Sequence, residues 1–212
     1  MPRPHQIGEV GGHPVSGARW PQVRAEQRGR AAGGAVLAAA ARAIPVRGHD
    51  DWRRHPEIRD LTLDAEGAWT RLDGDGDVDV EGRLIGGCVE TLAPLAGTPY
   101  LDTSRFAGDE PLLVYVEACE DNAYTICRHL HGMRLAGFFD RAAAVLVGRT
   151  RAPAGRTLTQ HEAVLDALGP LGAPIVADVE CGHVAPCLPL VNGARGRVVH
   201  TAARSEIVQT LD

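Results

Sequence analysis

Two side chains in this sequence, a carboxylate and an imidazole, have the chemistry of an acid–base pair. Glu117 ends the apolar run of residues 112–116, and His183 follows the apolar run of residues 174–179 after a short segment. A carboxylate can orient an imidazole, and an oriented imidazole can take a proton from a hydroxyl group, as in serine hydrolases. The pair lacks only a nucleophile, so the kind of site depends on the serines.

The sequence contains three serines, namely Ser16, Ser104 and Ser205. A nucleophilic serine of this type usually lies on a tight turn between a strand and a helix, because such a turn exposes the hydroxyl group. None of the three has a recognisable turn of that kind around it. Pro14, close to Ser16, is unfavourable inside a regular strand.

The segment around His183 also admits a metal site, since Cys181 and Cys187 are close to it in sequence. Structural zinc sites usually have paired ligands separated by two to four residues, and this spacing is not that pattern. Buried structural cysteines explain these residues better. We therefore expect no metal and no other cofactor, and a small metal-binding domain that uses these three residues remains the weakest alternative.

Composition excludes several classes of function. The chain has no lysine, which rules out a phosphate-binding Walker lysine, a Schiff-base lysine and a serine–lysine dyad. The net charge is -5 and the arginines are scattered, so we expect no nucleic-acid partner. No apolar run reaches the roughly 20 residues of a membrane span.

The five cysteines are not spaced as a disulfide framework and indicate reduced thiols in the cytoplasm. Residues 31–41, however, weakly resemble a secretion signal.

The elements that must position Glu117 and His183 are those of an α/β domain. Buried strands are predicted for residues 112–116, 142–147 and 174–179, with helices over 122–135 and from Thr159 onward, where Glu162 completes a capping box. Acidic residues 73–77 predict a hairpin turn between strands at 69–72 and 78–85, because Val78 and Leu84 are wrong for a calcium loop. Residues 198–200 and 206–209 are expected to be short edge strands.

The first 59 residues differ from the rest because they are rich in glycine, proline, arginine and alanine. We expect this region to be largely irregular, and only residues 25–44 have helix-forming composition. The predicted organisation is therefore a poorly structured or remnant region at 1–59 and an α/β domain at 60–212.

Six short motifs stand in a fixed order between residues 82 and 194. They are GRLIGGC at 82–88, GTPY at 97–100, LVYVE at 113–117, Arg128 with RLAG at 134–137, GH at 182–183, and LPL with NGA at 188–190 and 192–194. This series, over about residues 60–200, resembles the C-terminal domain of the LD-carboxypeptidase family. These serine peptidases include murein tetrapeptide LD-carboxypeptidases and the microcin C self-immunity peptidase.

The resemblance implies a swivelling β/β/α fold and a Ser-His-Glu triad, with Glu117 as the orienting carboxylate and His183 as the general base. In the family the serine lies in a separate N-terminal domain, on a turn of the Gly-Tyr-Ser-Asp type that this sequence lacks. Ser16 is the sole candidate by its order along the chain. The sequence also departs from the family at Cys88, where many relatives carry asparagine.

The resemblance thus predicts a serine hydrolase of small cytoplasmic peptides, acting on murein peptide or peptidyl-nucleotide amide bonds. We expect the chain to be truncated, with an incomplete triad. The alternative is an inactive remnant of the C-terminal domain that acts as a structural or dimerisation module, since loss of the covering domain would expose apolar surface and favour a homodimer.

Overall fold

The computed structural model describes residues 35–41, 68–106, 108–184 and 187–211, with only the backbone described for 35–41. All of them belong to one compact unit, Gly34–Asp212. Their strands are β1 (Ala35–Ala41), β2 (Thr70–Arg71), β3 (Val78–Cys88), β4 (Leu112–Glu117), β5 (Ala142–Gly148), β6 (Ile175–Val179), β7 (Arg195–His200) and β8 (Ser205–Leu211). The helices are α1 (Val89–Leu92), α2 (Thr103–Phe106), α3 (Ala123–Leu135) and α4 (Gln160–Leu168).

The eight strands form one mixed sheet in the order β1-β8-β7-β3-β4-β5-β6-β2. The four central strands β3, β4, β5 and β6 are parallel, and all other pairs are antiparallel. The predicted α/β class is therefore confirmed. Because parallel strands end at the same edge of a sheet, the residues that follow β4 and β6 are brought to one side of the molecule.

Hydrophobic residues cover both faces of the parallel strands. Val114 and Val116 of β4 pack with α3 and α4 in one core, whereas Leu113 and Tyr115 face a second core toward β7 and β8. Burial on both faces explains why these strands are continuous apolar runs rather than alternating ones. By the same alternation, the side chain of Glu117 belongs to the face of the second core.

The helix starts follow the sequence signals. Asn122 caps α3 by accepting hydrogen bonds from two backbone amides, and Thr159 with Glu162 forms the predicted capping box of α4. Such caps satisfy amide groups that have no partner within the helix. Among the described helices, none has both the length and the apolar character of a membrane span.

The sheet is strongly curled. The rings of Trp69, just before β2, and His200, at the end of β7, are 6.2 Å apart, although β7 and β2 are five places apart in the sheet order. In a flat sheet that separation would be roughly 24 Å at the usual strand spacing. Curling brings the β2 edge back toward β7 and encloses the second core.

The predicted hairpin between β2 and β3 is wrong. β2 pairs with β6, while β3 pairs with β4 and β7. The acidic turn instead serves as a connection whose Asp73 accepts a hydrogen bond from the backbone amide of Ile175 and bonds Arg71. Long-range pairing of both strands outweighs the local turn signal, because β3 gains two neighbours in the centre of the sheet.

The ends of the chain also differ from expectation. Residues 35–41, which have helix-forming composition, form strand β1 because β8 offers an unpaired edge. β7 and β8 each have two neighbours, so neither is the predicted edge strand. Residues 1–34 and 42–67 lie outside the described residues, and the boundary at residue 60 stays a prediction.

Candidate active site

Glu117 and His183 are in direct contact. Nδ1 of His183 lies 2.9 Å from Oε1 of Glu117, although the two residues are 66 positions apart. The Glu117 side chain is 5% exposed and that of His183 is 61% exposed. A carboxylate oxygen accepts a hydrogen bond, so this contact favours a ring whose Nδ1 carries a proton, and Nε2 is the ring nitrogen that Glu117 does not contact.

Two glycines make room for the buried carboxylate. A Cβ at Gly182 would lie 2.6 Å from both Cγ and Oε2 of Glu117, and one at Gly148 would lie 2.7 Å from Cβ of Glu117. Gly182 also has a φ of 96°, which favours glycine. These glycines allow the chain before His183 to pass directly over Glu117.

Only one of the two carboxylate oxygens of Glu117 has a hydrogen-bond partner among the described residues. Its Oε2 is buried and has no hydrogen-bond partner among the described residues. A buried carboxylate oxygen without a partner is costly, and such exceptions are concentrated at functional sites. The nearby thiol of Cys181 is inert, since burial, helped by the neighbouring Cys187 and Glu117, raises its pKa to about 12.

The loop that follows Glu117 is held by a second carboxylate. Oε1 of Glu90 accepts hydrogen bonds from the backbone amides of Cys119, Glu120 and Asp121, at 2.9, 3.0 and 3.1 Å. Burial raises the pKa of Glu90, but these amides and the thiol of Cys88 outweigh that effect and lower it to about 2. Glu90 therefore stays ionised and fixes the exit of β4.

A β-bulge redirects the chain that leads to His183. The pairing of β5 with β6 shifts by one residue between Leu146 and Gly148, and Asp178 within the bulge has a φ of 62°. This left-handed conformation is uncommon outside glycine, and bulges often turn side chains beside active sites. Asp178 thereby reaches His161 on α4, with Oδ1 3.1 Å from Nε2.

Two side-chain amides, the buried Gln209 and the exposed Asn192, hold the loop that follows His183. Gln209 on β8 donates to the carbonyl of Pro189 and accepts from the amide of Val191, both at 2.8 Å. Asn192 accepts from the amide of Gly86 at 2.9 Å and donates to its carbonyl. The loop that carries His183 is thus tied to β8 and to β3.

A cavity of about 280 Å³ lies on the helix side of the sheet, beside Glu117. It is lined mostly by apolar side chains, among them residues of β4, β5, α3 and α4, together with polar residues that include His161 and Asp178. Glu117 borders the cavity, but strand alternation places its carboxylate on the opposite face.

Neither of the two described serines contacts the Glu117–His183 pair. The hydroxyl of Ser104 bonds Asp102 at the start of α2. That of Ser205 lies 2.8 Å from Nδ1 of His200 in the hairpin between β7 and β8. Ser16, the third candidate nucleophile, lies outside the described residues.

The alternative metal site at Cys181, His183 and Cys187 gains no support. In residues 68–106, 108–184 and 187–211, three metal-ligating side chains do converge, but at another place. They are Cys127, His131 and Asp166. His183 is instead engaged by Glu117.

Sequence reasoning missed Glu90, Asp178 and Gln209, which hold the segments around the pair. Gln209 gives a recoverable sequence signal, because it alternates with the apolar residues Ile207 and Leu211 in a predicted strand region; in the structure its side chain is 1% exposed. Glu90 and Asp178 gave none, since their partners are distant in sequence.

Glu117 and His183 are thus a candidate acid–base pair at the carboxyl edge of the parallel strands. The model of the LD-carboxypeptidase C-terminal domain matches residues 81–198, more than half of the chain. The chain belongs to this family.

Two curated relatives illustrate the match. The Bacillus subtilis protein named "Probable murein peptide carboxypeptidase" is 26% identical over 133 residues, which are 61% of this chain and 40% of the relative. The Escherichia coli microcin C7 self-immunity protein is 27% identical over 122 residues, which are 57% of this chain and 34% of the relative. The chain therefore matches well under half the length of these relatives.

Solved structures show the same fold. The microcin C7 self-immunity protein in its wild-type apo state has a TM-score of 0.63 at 20% identity, over 86% of this chain and 52% of that one. Muramoyltetrapeptide carboxypeptidase from Oxalobacter formigenes has a TM-score of 0.57 at 20% identity, over 74% and 56% of the two chains.

Proposed function

We propose that the chain acts as an LD-carboxypeptidase-like serine hydrolase of small cytoplasmic peptides, in which His183 is the general base and Glu117 its orienting carboxylate. The observation that carries the proposal is the 2.9 Å contact between Nδ1 of His183 and Oε1 of Glu117, with the imidazole open to solvent. Because Nδ1 is engaged by Glu117 and the His183 side chain is 61% exposed, Nε2 is the ring nitrogen proposed to take the proton.

In this mechanism Nε2 of His183 takes the proton of a serine hydroxyl as that oxygen attacks the scissile carbonyl carbon. The same nitrogen then gives the proton to the leaving amine. Glu117 keeps its charge and stabilises the imidazolium that forms between the two steps. Its burial strengthens this effect, because the carboxylate is poorly screened by water.

The proposed substrates are murein peptides or peptidyl-nucleotides, cleaved at an amide bond next to a free carboxylate. The names of the relatives support this choice, and the microcin C7 self-immunity protein has been solved with glutamyl sulfamoyl guanosine and with aspartyl sulfamoyl adenosine. Substrate selection requires groups beyond the described pair.

The nucleophile is the incomplete part of the proposed triad. Ser104 and Ser205 bond other side chains, so the remaining sources are Ser16 and a polypeptide beyond this sequence.

A fluorophosphonate probe tests the proposal on the full chain, with the labelled residue mapped by mass spectrometry. Labelling at Ser16 that disappears in His183→Ala, together with release of the C-terminal residue from a murein tetrapeptide, would support a complete triad. Labelling that is retained in His183→Ala would exclude His183 as the base. Ser104→Ala and Ser205→Ala serve as matched controls and should label as the parent chain does.

The second candidate function is a catalytically inactive structural or dimerisation module. It is favoured by the engagement of both described serines away from His183. Absence of probe labelling on folded protein, combined with a dimer in analytical ultracentrifugation, would support it. A monomer that labels at one serine would contradict it.

A further inference from the structure

A cysteine, a histidine and an aspartate meet across the outer surfaces of α3 and α4, apart from the candidate active site. Cys127 and His131 are four residues apart on α3 and so share one face of that helix. Asp166 lies opposite on α4, with Oδ2 2.8 Å from Nε2 of His131 and 3.4 Å from Sγ of Cys127. The three potential ligand atoms all lie within 4.8 Å of one another.

We propose that Cys127, His131 and Asp166 form a zinc-binding site that bridges α3 and α4. A thiolate, an imidazole and a carboxylate are the three ligand types that zinc accepts in proteins. Zinc–ligand bonds of about 2.0–2.3 Å place tetrahedral ligand atoms roughly 3.3–3.8 Å apart. The observed separations of 2.8 and 3.4 Å need only a small opening of the side chains.

The helices that carry the ligands are fixed before any ion arrives. α3 is capped by Asn122 and α4 by the Thr159–Glu162 box, and the inner faces of both helices are buried in the core. The ligands themselves remain accessible, since the side chains of His131 and Asp166 are 36% and 63% exposed. Rigid helices that carry exposed ligand side chains suit an ion that binds from solvent.

Zinc binding requires a defined movement of protons. Nη2 of Arg134 lies 3.3 Å from Nδ1 of His131, so in the metal-free protein Nδ1 accepts and Nε2 donates to Asp166. Coordination through Nε2 moves the imidazole proton to Nδ1, and Arg134 must turn away from it. Cys127 releases its thiol proton to solvent.

The bound site is electrically neutral, because one thiolate and one carboxylate balance the two positive charges of the ion. With three protein ligands, the fourth tetrahedral position is left for water. This arrangement predicts an exchangeable ion rather than a closed structural site.

Cobalt(II) is a useful probe of the site, because it substitutes for zinc and absorbs light when a thiolate is bound to it. We expect one equivalent of Co²⁺ to give a thiolate charge-transfer band in the full chain, and Zn²⁺ to displace it. Cys127→Ala should abolish the band and weaken Zn²⁺ binding by roughly tenfold or more. Cys187→Ala, which removes an exposed cysteine elsewhere, should leave both unchanged.

A second measurement needs no substitution. Zn²⁺ should slow alkylation of Cys127 by iodoacetamide, followed by mass spectrometry, while Cys187 stays reactive. Equal alkylation of Cys127 with and without Zn²⁺ would overturn the proposal. Retention of the Co²⁺ band in Cys127→Ala would overturn it as well, since the thiolate ligand would then be another cysteine.

Discussion

The backbone of Gly182 lies so close to the carboxylate of Glu117 that no side chain fits between them. A Cβ added at Gly182 would be 2.6 Å from Oε2 of Glu117, and the residue has a φ of 96°. Gly182 immediately precedes His183. Its missing side chain is therefore what allows the imidazole to reach the buried carboxylate.

Gly182→Ala should separate the pair and destabilise the protein. Strain at the positive φ and the clash with Glu117 together should lower the free energy of unfolding by about 2–4 kcal/mol. Chemical denaturation measures this change. Gly132→Ala is the matched control, because Gly132 is inside α3 with open space at its Cβ, and it should stabilise the protein by about 0.5–1 kcal/mol. Equal effects of the two substitutions would contradict the model of the site.

His183 should be present as the Nδ1–H tautomer. Nitrogen NMR of the imidazole distinguishes this tautomer from the Nε2–H form, which predominates in free neutral histidine. In Glu117→Gln, whose amide can also donate a hydrogen bond, the population should move toward the Nε2–H form, since the carboxylate no longer holds the Nδ1 proton. His161, which bonds Asp178, is an internal control and should not change. An Nε2–H tautomer in the parent chain would rule out the proposed role.

Glu90 should make stability depend on pH in the acid range. Its pKa falls from 4.5 to about 2 on folding. A lowered folded pKa gives stability that is fully present above pH 4.5 and is lost as the pH falls toward 2. Compared with Glu90→Gln, the parent chain should be more stable by about 1 kcal/mol at neutral pH, because solvent screens this partly exposed group.

The difference between the parent chain and Glu90→Gln should shrink between pH 4.5 and 2, as measured by denaturation at several pH values. Asp109→Asn, at an exposed position before β4, is the matched control for the loss of one carboxylate. A pH-independent difference for Glu90→Gln would show that Glu90 is not ionised against the loop amides.

At position 178, a glycine substitution should give a more stable protein than an alanine substitution, which is the opposite of the usual order in a strand. Asp178→Ala and Asp178→Gly both lose the contact with His161, but only glycine relieves the strain of the 62° φ. The glycine variant should be more stable than the alanine variant by about 1 kcal/mol. At the exposed strand position Glu81, alanine should be the more stable of the two, and thermal unfolding of the four variants tests both orders.

Local signals were reliable where the structure they specify is also local. The apolar run of residues 112–116 lies in β4, and Thr159 and Glu162 cap α4 as predicted. The predictions of a hairpin at residues 73–77 and of a helix in the alanine-rich segment at 35–41 failed because the structure there depends on distant partners. Their partners, β6 and β8, are more than 100 residues away and no local pattern identifies them.

Short stretches of chain were enough to indicate the family, the α/β class and the two side chains at the carboxyl edge of the sheet, because motifs and apolar runs are local features. The contact between Glu117 and His183 could be found only in the folded chain. That contact depends on a bulge at Asp178, on glycines 148 and 182, and on the anchors Glu90 and Gln209. These act through close approach between distant segments, and packing in three dimensions alone fixes such distances.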